Sequence, residues 1–289
     1  MTSLYPKAAR RDRADTLVDI GSHAIGGAGF TVIAGPCSVE SLDQLLTIAR
    51  AVRTCGAHAL RGGAYKPRSS PYAFQGLGRA GLELLAEVRA ATGMPIVTEV
   101  LDVRDVERVT AVADVAQVGA RNMQNYQLLR ELGGSGRPVL LKRGLAATVD
   151  ETLLAAEYLL NGGNERVIIC ERGIRTFETS YRFTLDLAAV TVLKERTHLP
   201  VIVDPSHAAG ASGRVIPLAL AAAAVGADGI IVETHHAPAS ALCDGDQALP
   251  TGDLGLLMDR LELAVAAAGG RLDRFYPSPL DLLPYSEMA

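Results

Sequence analysis

The sequence predicts an α/β fold, a (β/α)8 TIM barrel fronted by a short N-terminal β-hairpin. Eight short apolar runs recur along the 289 residues, helix-length amphipathic segments separate them, and nearly every run stops at a charged or metal-capable side chain. Strands that alternate with helices imply a parallel sheet, and eight repeats permit closure. A barrel of about 250 residues is a single domain, so the length does not require a second one. The expected division is a loosely held tail over 1–17 and one catalytic barrel over 18–289.

Val18-Asp19-Ile20 and Phe30-Thr31-Val32-Ile33 flank the glycine-rich 21–29 segment, a hairpin leading into the barrel and plugging its bottom. The strands then run Thr31–Ala34, Ala59–Leu60, Ile96–Thr98, Val115–Val118, Val139–Leu141, Val167–Cys170, Val201–Val203 and Ile230–Val232. Ser41–Thr54 carries Leu42, Leu45, Leu46, Ile48, Ala49 and Val52 near a 3.6-residue period, with Ser41 as N-cap. Leu82–Ala91 ends before Thr92-Gly93, a glycine stop. The remaining helices are Val103–Val112, Gln124–Leu132, Val149–Leu160, Leu185–Arg196, Val215–Val225 and Leu254–Ala268. The tail from Phe275 to Ala289 reads as a strap over the barrel.

Composition narrows the function. Apolar residues make up 48% but aromatics only 4%, with no Trp, so Ala, Leu, Val and Ile must build the core, as barrel interiors favour. A net charge of −4 suggests neither a nucleic-acid partner nor an anionic membrane surface. No apolar stretch approaches the roughly 20 residues of a membrane span, and the N-terminus lacks a secretory core. Four cysteines without a close pair suit a reduced cytoplasmic setting.

Strand C-termini form the active face of such barrels. Cys37, His207 and Glu233 follow strands that become neighbours on closure, and Asp244 lies in the loop after the last one. Thiolate, imidazole and carboxylates suit Mn2+, Fe2+, Co2+ or Zn2+ better than Mg2+. His235 and His236 compete for the histidine role, and spacing excludes neither. Arg61, Lys66, Arg68, Arg121, Lys142 and Arg172 form a cationic set whose mutual repulsion calls for phosphate or carboxylate ligands. Backbone N–H groups at Gly119-Ala120 can add donors. Lys142 has the type for a Schiff base, but the other cations favour phosphate binding. Gly26–Gly29 is not a nucleotide loop, since no Gly-Lys-Ser/Thr follows.

The segments GPCSVES (35–41), LRGGAYKPRSSPYAFQGLG (60–78), TEV (98–100), QVGARNMQN (117–125), LLKRG (140–144), ICERGIRTFE (169–178) and VDPSHAAG (203–210) resemble 3-deoxy-D-arabino-heptulosonate 7-phosphate (DAHP) synthase. The likeness is to its metal-dependent class I β-subgroup, related to 3-deoxy-D-manno-octulosonate 8-phosphate synthase, and it runs collinearly over all eight strands. The resemblance implies condensation of phosphoenolpyruvate with erythrose 4-phosphate, opening the shikimate route, and one divalent metal on Cys37, His207, Glu233 and Asp244. It puts phosphoenolpyruvate on Arg121, Lys142 and Arg172 with Gly119-Ala120, and the aldose phosphate on Arg61, Lys66, Pro67, Arg68 and Ser69. Glu99 resembles the acid near the attacking water, and Lys66, Glu99 and Asp204 are the expected catalytic groups. Lys66-Pro67-Arg68-Ser69 favours the four-carbon aldose. Phe183 stands where Asn is usual, and 250–253 also departs from the family pattern, so a paralogue using arabinose 5-phosphate or an amino-modified tetrose phosphate is the alternative. A homo-oligomer, dimer or tetramer, is implied. With no regulatory domain in evidence, a separate partner would have to supply any feedback control.

Overall fold

The structure is a computed structural model that describes residues 4–275. β1 (Val18–Ile20) and β2 (His23–Ile25) form an antiparallel hairpin. The barrel strands are β3 (Thr31–Gly35), β4 (Ala59–Arg61), β5 (Ile96–Glu99), β6 (Val115–Val118), β7 (Val139–Lys142), β8 (Val167–Glu171), β9 (Val201–Val203) and β10 (Gly229–His235). All neighbours are parallel, and β10 pairs with both β3 and β9, which closes the barrel. A two-residue β11 (Leu249–Pro250) lies beside β10.

The outer ring comprises α1 (Leu42–Thr54), α2 (Arg79–Thr92), α3 (Val106–Val112), α4 (Tyr126–Gly134), α5 (Val149–Asn161) and α6 (Leu187–Arg196), with a short α7 (Pro205–Ala209) before α8 (Val215–Ala224) and α9 (Leu254–Ala267). Ser41 caps α1 as expected, its hydroxyl accepting from the Gln44 amide at 3.1 Å. Thr148 and Glu151 form a reciprocal capping box at α5. Periodicity does not announce α7: five residues are too few, and Pro205 at its first turn with Asp204 as N-cap is its only mark.

Two apolar layers explain why the strands read as continuous runs rather than alternating ones. Outward residues such as Val32, Ala34, Leu60, Ile96, Leu141, Ile169, Val203 and Val232 pack against the helices. Inward residues from all eight strands, Ile33, Ala59, Val97, Val115, Leu140, Ile168, Ile202 and Ile231, form a separate cluster with Val18, Ile20 and Ile25 of the hairpin. The hairpin therefore plugs the barrel, as expected. Its second strand is His23–Ile25, inside the segment read as a glycine-rich loop, because Gly21 (φ +63°) turns the chain at once.

The stretch expected as a loose tail makes specific contacts. Ala8 is fully buried, the amides of Lys7 and Ala8 donate to Glu157, and the Thr197 hydroxyl donates to the Ala8 carbonyl at 2.5 Å. The small Ala8 side chain fits beneath α5 and α6, a contact that the polar, basic composition masks. The strap reading of the C-terminus falls, from Tyr276 on, outside the described residues.

Two imidazoles stack near the plug, His23 on His58, with ring centroids 3.9 Å apart. His58 Nδ1 accepts from the Val32 amide at 3.0 Å, so its Nε2 carries the proton donated to the Asp273 carbonyl at 2.6 Å. Burial pushes His23 down to about 4, helped by His58, and pushes His58 down as well. Between pH 6.5 and about 4 the unfolded chain binds protons that the folded His23 refuses, so stability falls as pH falls through that window. His23→Gln is expected to flatten the decline of melting temperature over this range relative to the unaltered chain. An unchanged slope would remove His23 as the cause.

Candidate active site and metal centre

The inward register of the barrel does not stop with its apolar layer. Successive inward positions on a strand are two residues apart. One step beyond the inward apolar residues lie Arg61 after Ala59, Glu99 after Val97, Gln117 after Val115, Lys142 after Leu140, Asp204 after Ile202 and Glu233 after Ile231. On β8 the series is Ile168, Cys170, Arg172, and on β3 it is Ile33, Gly35, Cys37. Gly35 has no alternative: with φ +156° a Cβ would sit 2.0 Å from the Arg61 carbonyl oxygen. The same pleat thus builds the core and the polar layer above it, from which Cys37, Arg61, Glu99, Gln117, Lys142 and Arg172 line one cavity of about 310 Å3 at the strand C-termini.

The four expected metal ligands converge there. Cys37 Sγ lies 3.1 Å from Asp244 Oδ2, and His207 Nε2 lies 3.3 Å from Glu233 Oε1. His207, Glu233 and Asp244 offer ligand atoms all within 4.8 Å of one another. Asp204 explains the histidine's orientation. Its Oδ1 accepts from the His207 amide at 2.9 Å, and its Oδ2 lies 2.7 Å from Nδ1. A carboxylate only accepts, so Nδ1 carries the proton and Nε2 presents a lone pair. Burial keeps the imidazole neutral, pushing it down to about 4 against the pull of Asp204 and Glu233. A lone pair, an ionised Glu233 and Asp244 then face one another with no proton to share, a donor set that fits a cation. His235 is not part of it. Its Nε2 lies 3.3 Å from Gln44 and its Nδ1 accepts from Ala237, while His236 is exposed.

Asp204, expected among the catalytic groups, is fully buried like Glu233 and reaches the cavity through His207 and Lys142, which line it. It accepts from Lys142 Nζ at 2.5 Å with the same oxygen that holds His207. Burial would raise its pKa, but the adjoining His207 and Lys142 hold it well below the carboxylate range. An amine committed to that ion pair is a poor Schiff-base nucleophile.

Arg61, expected to hold the aldose phosphate, lines the cavity and also makes contacts within the protein. Nη1 bonds Glu233 Oε1 at 3.0 Å and Nη2 the Cys37 carbonyl at 3.3 Å, so the guanidinium braces two of the expected metal ligands. Lys66 Nζ contacts Cys37 Sγ at 2.6 Å and Asp244 Oδ2 at 2.9 Å. Pro67, Arg68, Ser69, Gly119, Ala120, Arg121 and Arg172 all line the cavity. Arg68 Nη1 and Arg172 Nη1 are buried donors with no hydrogen-bond partner among the described residues, as expected where an anion binds. Glu99 faces the same space. Burial raises its pKa although Lys142, Lys66 and Arg61 pull the other way. Gly119 makes room for it: a Cβ there would lie 2.1 Å from Glu99 Oε1.

Three residues escaped the sequence reading. Gln117 donates to Glu99 Oε2 at 3.1 Å, and its inward register was the available signal. Gln247 bridges the site, accepting from Arg182 and donating to Glu233 Oε2, each at 2.5 Å. It and Arg182 arrive from loops, where no periodicity marks them. Phe183 lines the cavity between two guanidinium groups, 4.3 Å from that of Arg172 and 5.8 Å from that of Arg182.

Known proteins resemble this chain in sequence and in fold. The profile of the DAHP synthetase I family matches residues 15–262. A phospho-2-dehydro-3-deoxyheptonate aldolase of Thermotoga maritima is 54% identical over 235 residues, 81% of this chain and 70% of the relative. A 2-dehydro-3-deoxyphosphooctonate aldolase of Syntrophobacter fumaroxidans is 31% identical over 84% of this chain and 90% of its own. Among solved structures, a crystal structure of the Thermotoga maritima heptonate aldolase (DAHP synthase) superposes with a TM-score of 0.89 at 48% identity, covering 92% of this chain and 78% of the other. A truncated form of that organism's 3-deoxy-D-arabino-heptulosonate 7-phosphate synthase gives 0.87 at 45% identity, covering 93% and 99%.

Proposed function

Because the chain belongs to the DAHP synthetase I family, we propose that its cavity condenses phosphoenolpyruvate with erythrose 4-phosphate and water to give DAHP and phosphate, with one divalent metal on Cys37, His207, Glu233 and Asp244. This is the transferase reaction that opens the shikimate route. The observation that carries the reading is one cavity joining converged metal-type donors to guanidinium nitrogens of Arg68 and Arg172 that have no hydrogen-bond partner among the described residues. The greater likeness to the heptonate aldolase than to the octonate one supports the four-carbon aldose.

Bound among its ligands, the metal supplies Lewis-acid polarisation of the aldehyde. The protein's own groups do the rest. Arg121, Lys142 and Arg172, with the Gly119 and Ala120 amides, hold the phosphate and carboxylate of phosphoenolpyruvate. Lys66, Pro67, Arg68 and Ser69 hold the aldose phosphate. Fixed at both ends, the enol carbon meets the aldehyde carbon in near-attack geometry, where prepaid orientation is worth several kcal/mol, on the order of 7–11 in the best-aligned systems. Carbon 2 becomes cation-like as the new bond forms, and water adds there from the side of Glu99, whose raised pKa suits it to take up a proton. The hemiketal phosphate then collapses, and phosphate leaves. Lys66 is placed to give a proton to the nascent alkoxide.

Phosphate release is expected only with both substrates present, to cease with EDTA and to return with Mn2+, while circular dichroism stays unchanged. Release indifferent to chelator would contradict the metal's role. Phe183 at the cavity wall favours one second reading, a different aldose phosphate such as arabinose 5-phosphate or an amino-modified tetrose phosphate. Comparing kcat/KM over an aldose-phosphate panel decides between them. The reading extends to a homo-oligomer, dimer or tetramer, in the cytoplasm. The four free thiols are in keeping with that compartment.

A further inference from the structure

Beside the histidine–carboxylate donors lies a second, sulfur-rich group. Cys37, Cys243 and Asp244 offer ligand atoms all within 4.8 Å of one another, and they share Asp244 with the His207–Glu233–Asp244 group. Cys243 belongs to neither the expected ligand set nor the cavity wall, yet it is buried at 5% exposure with its sulfur 2.8 Å from the Ser38 hydroxyl. Neighbouring side chains in extended backbone point apart. Here Asp244 adopts a left-handed conformation (φ 53°, ψ 29°), and the Cys243 and Asp244 side chains both meet Cys37. Apart from Arg11, Asp244 is the one non-glycine residue among the described residues with positive φ, a conformation that needs a compensating reason. A positive charge already rests on part of the group, since Lys66 Nζ touches both Cys37 Sγ and Asp244 Oδ2.

We propose that Cys243 is itself a metal ligand, and that the two sulfurs with Asp244 form a seat for thiophilic divalent ions next to the histidine–carboxylate seat. This rests on the metal-centre reading above and adds to it a division of labour. Thiolates select soft ions such as Zn2+ and Cd2+, whereas imidazole and carboxylates accept Mn2+. An ion among the sulfurs takes over the countercharge that Lys66 supplies, which ties Lys66 to the identity of the bound metal.

Cd2+ titration under anaerobic, reducing conditions tests this by ultraviolet sulfur-to-cadmium charge-transfer absorption. The unaltered chain is expected to show the amplitude of two thiolates. Cys243→Ser and Cys37→Ser should each keep about half of it, and the double variant none. Cys243→Ser should also weaken Cd2+ by at least about tenfold while Mn2+ binding, followed by electron paramagnetic resonance, stays within about twofold. Amplitude unchanged by Cys243→Ser, with Cys37→Ser abolishing it, would overturn the second sulfur ligand and leave the four-ligand centre intact. No thiolate band in the unaltered chain would overturn both. Equal loss of Cd2+ and Mn2+ in Cys243→Ser and in Cys243→Ala, with melting temperatures unchanged, would also overturn the soft seat.

Discussion

Asp204→Asn is expected to lower kcat by about ten-thousandfold, the order that loss of a histidine-orienting carboxylate reaches in a catalytic triad. One oxygen of Asp204 serves both Lys142 and His207 Nδ1. An amide at 204 carries no charge to balance Lys142, and its NH2 group can face Nδ1 and reverse the tautomer. Nε2 would then bear a proton where a ligand lone pair is needed. Metal affinity should fall by about 10- to 100-fold, as it does when an outer partner of a ligating histidine is lost. Stability should fall as well, by roughly 3–5 kcal/mol, because Lys142 is left as an uncompensated buried cation. Metal titration, urea unfolding and steady-state kinetics on one variant read all three. Wild-type metal affinity alongside a lowered kcat would show that Asp204 does not set the imidazole's orientation.

Arg61→Met separates two accounts of a single cation. If Arg61 grips the aldose phosphate, its loss raises the KM for erythrose 4-phosphate and leaves the fold alone. The contacts favour another outcome. Glu233 is fully buried, and Arg61 is its one ion-paired guanidinium among the described residues, with side chains 6% and 0% exposed. Breaking a buried pair from one side costs about 3–5 kcal/mol. Arg61→Met is therefore expected to lower the urea midpoint markedly and to weaken metal binding through a displaced Glu233. A change confined to the KM for the aldose would restore the phosphate-binding role. Arg61→Lys, which keeps the charge but not the fork that spans Glu233 and the Cys37 carbonyl, should recover part of the stability.

The strands and outer helices were legible because burial on both faces imprints unbroken apolar runs and the helices imprint a 3.6-residue repeat. Arg61, Glu99, Lys142, Asp204 and Glu233 were legible for a related reason: each ends such a run, and each falls in the inward register set by the residue two before it. What that position does was not legible. Whether an inward carboxylate meets a metal or a lysine depends on its neighbours around the barrel, and no one-dimensional pattern carries that. Thus Asp204 and Glu233, alike in sequence setting, differ in the structure, one supporting the histidine and the other facing it. Gln247, Arg182 and Cys243 come from loops, where spacing holds no phase information. The five-residue α7 and the buried tether at Ala8 were equally silent, being too short for any period to build up.

The packed inward layer and the hairpin of Val18, Ile20 and Ile25 fill the barrel beneath the cavity and make the site a cup. Reagents enter, and heptulosonate and phosphate depart, through a single mouth crowded with guanidinium groups. Nothing flows through; the traffic is two-way, and each turnover must clear its own doorway before the next begins. The heptulosonate, which carries a carboxylate as well as a phosphate, is the more highly charged product and the one such a doorway holds more strongly.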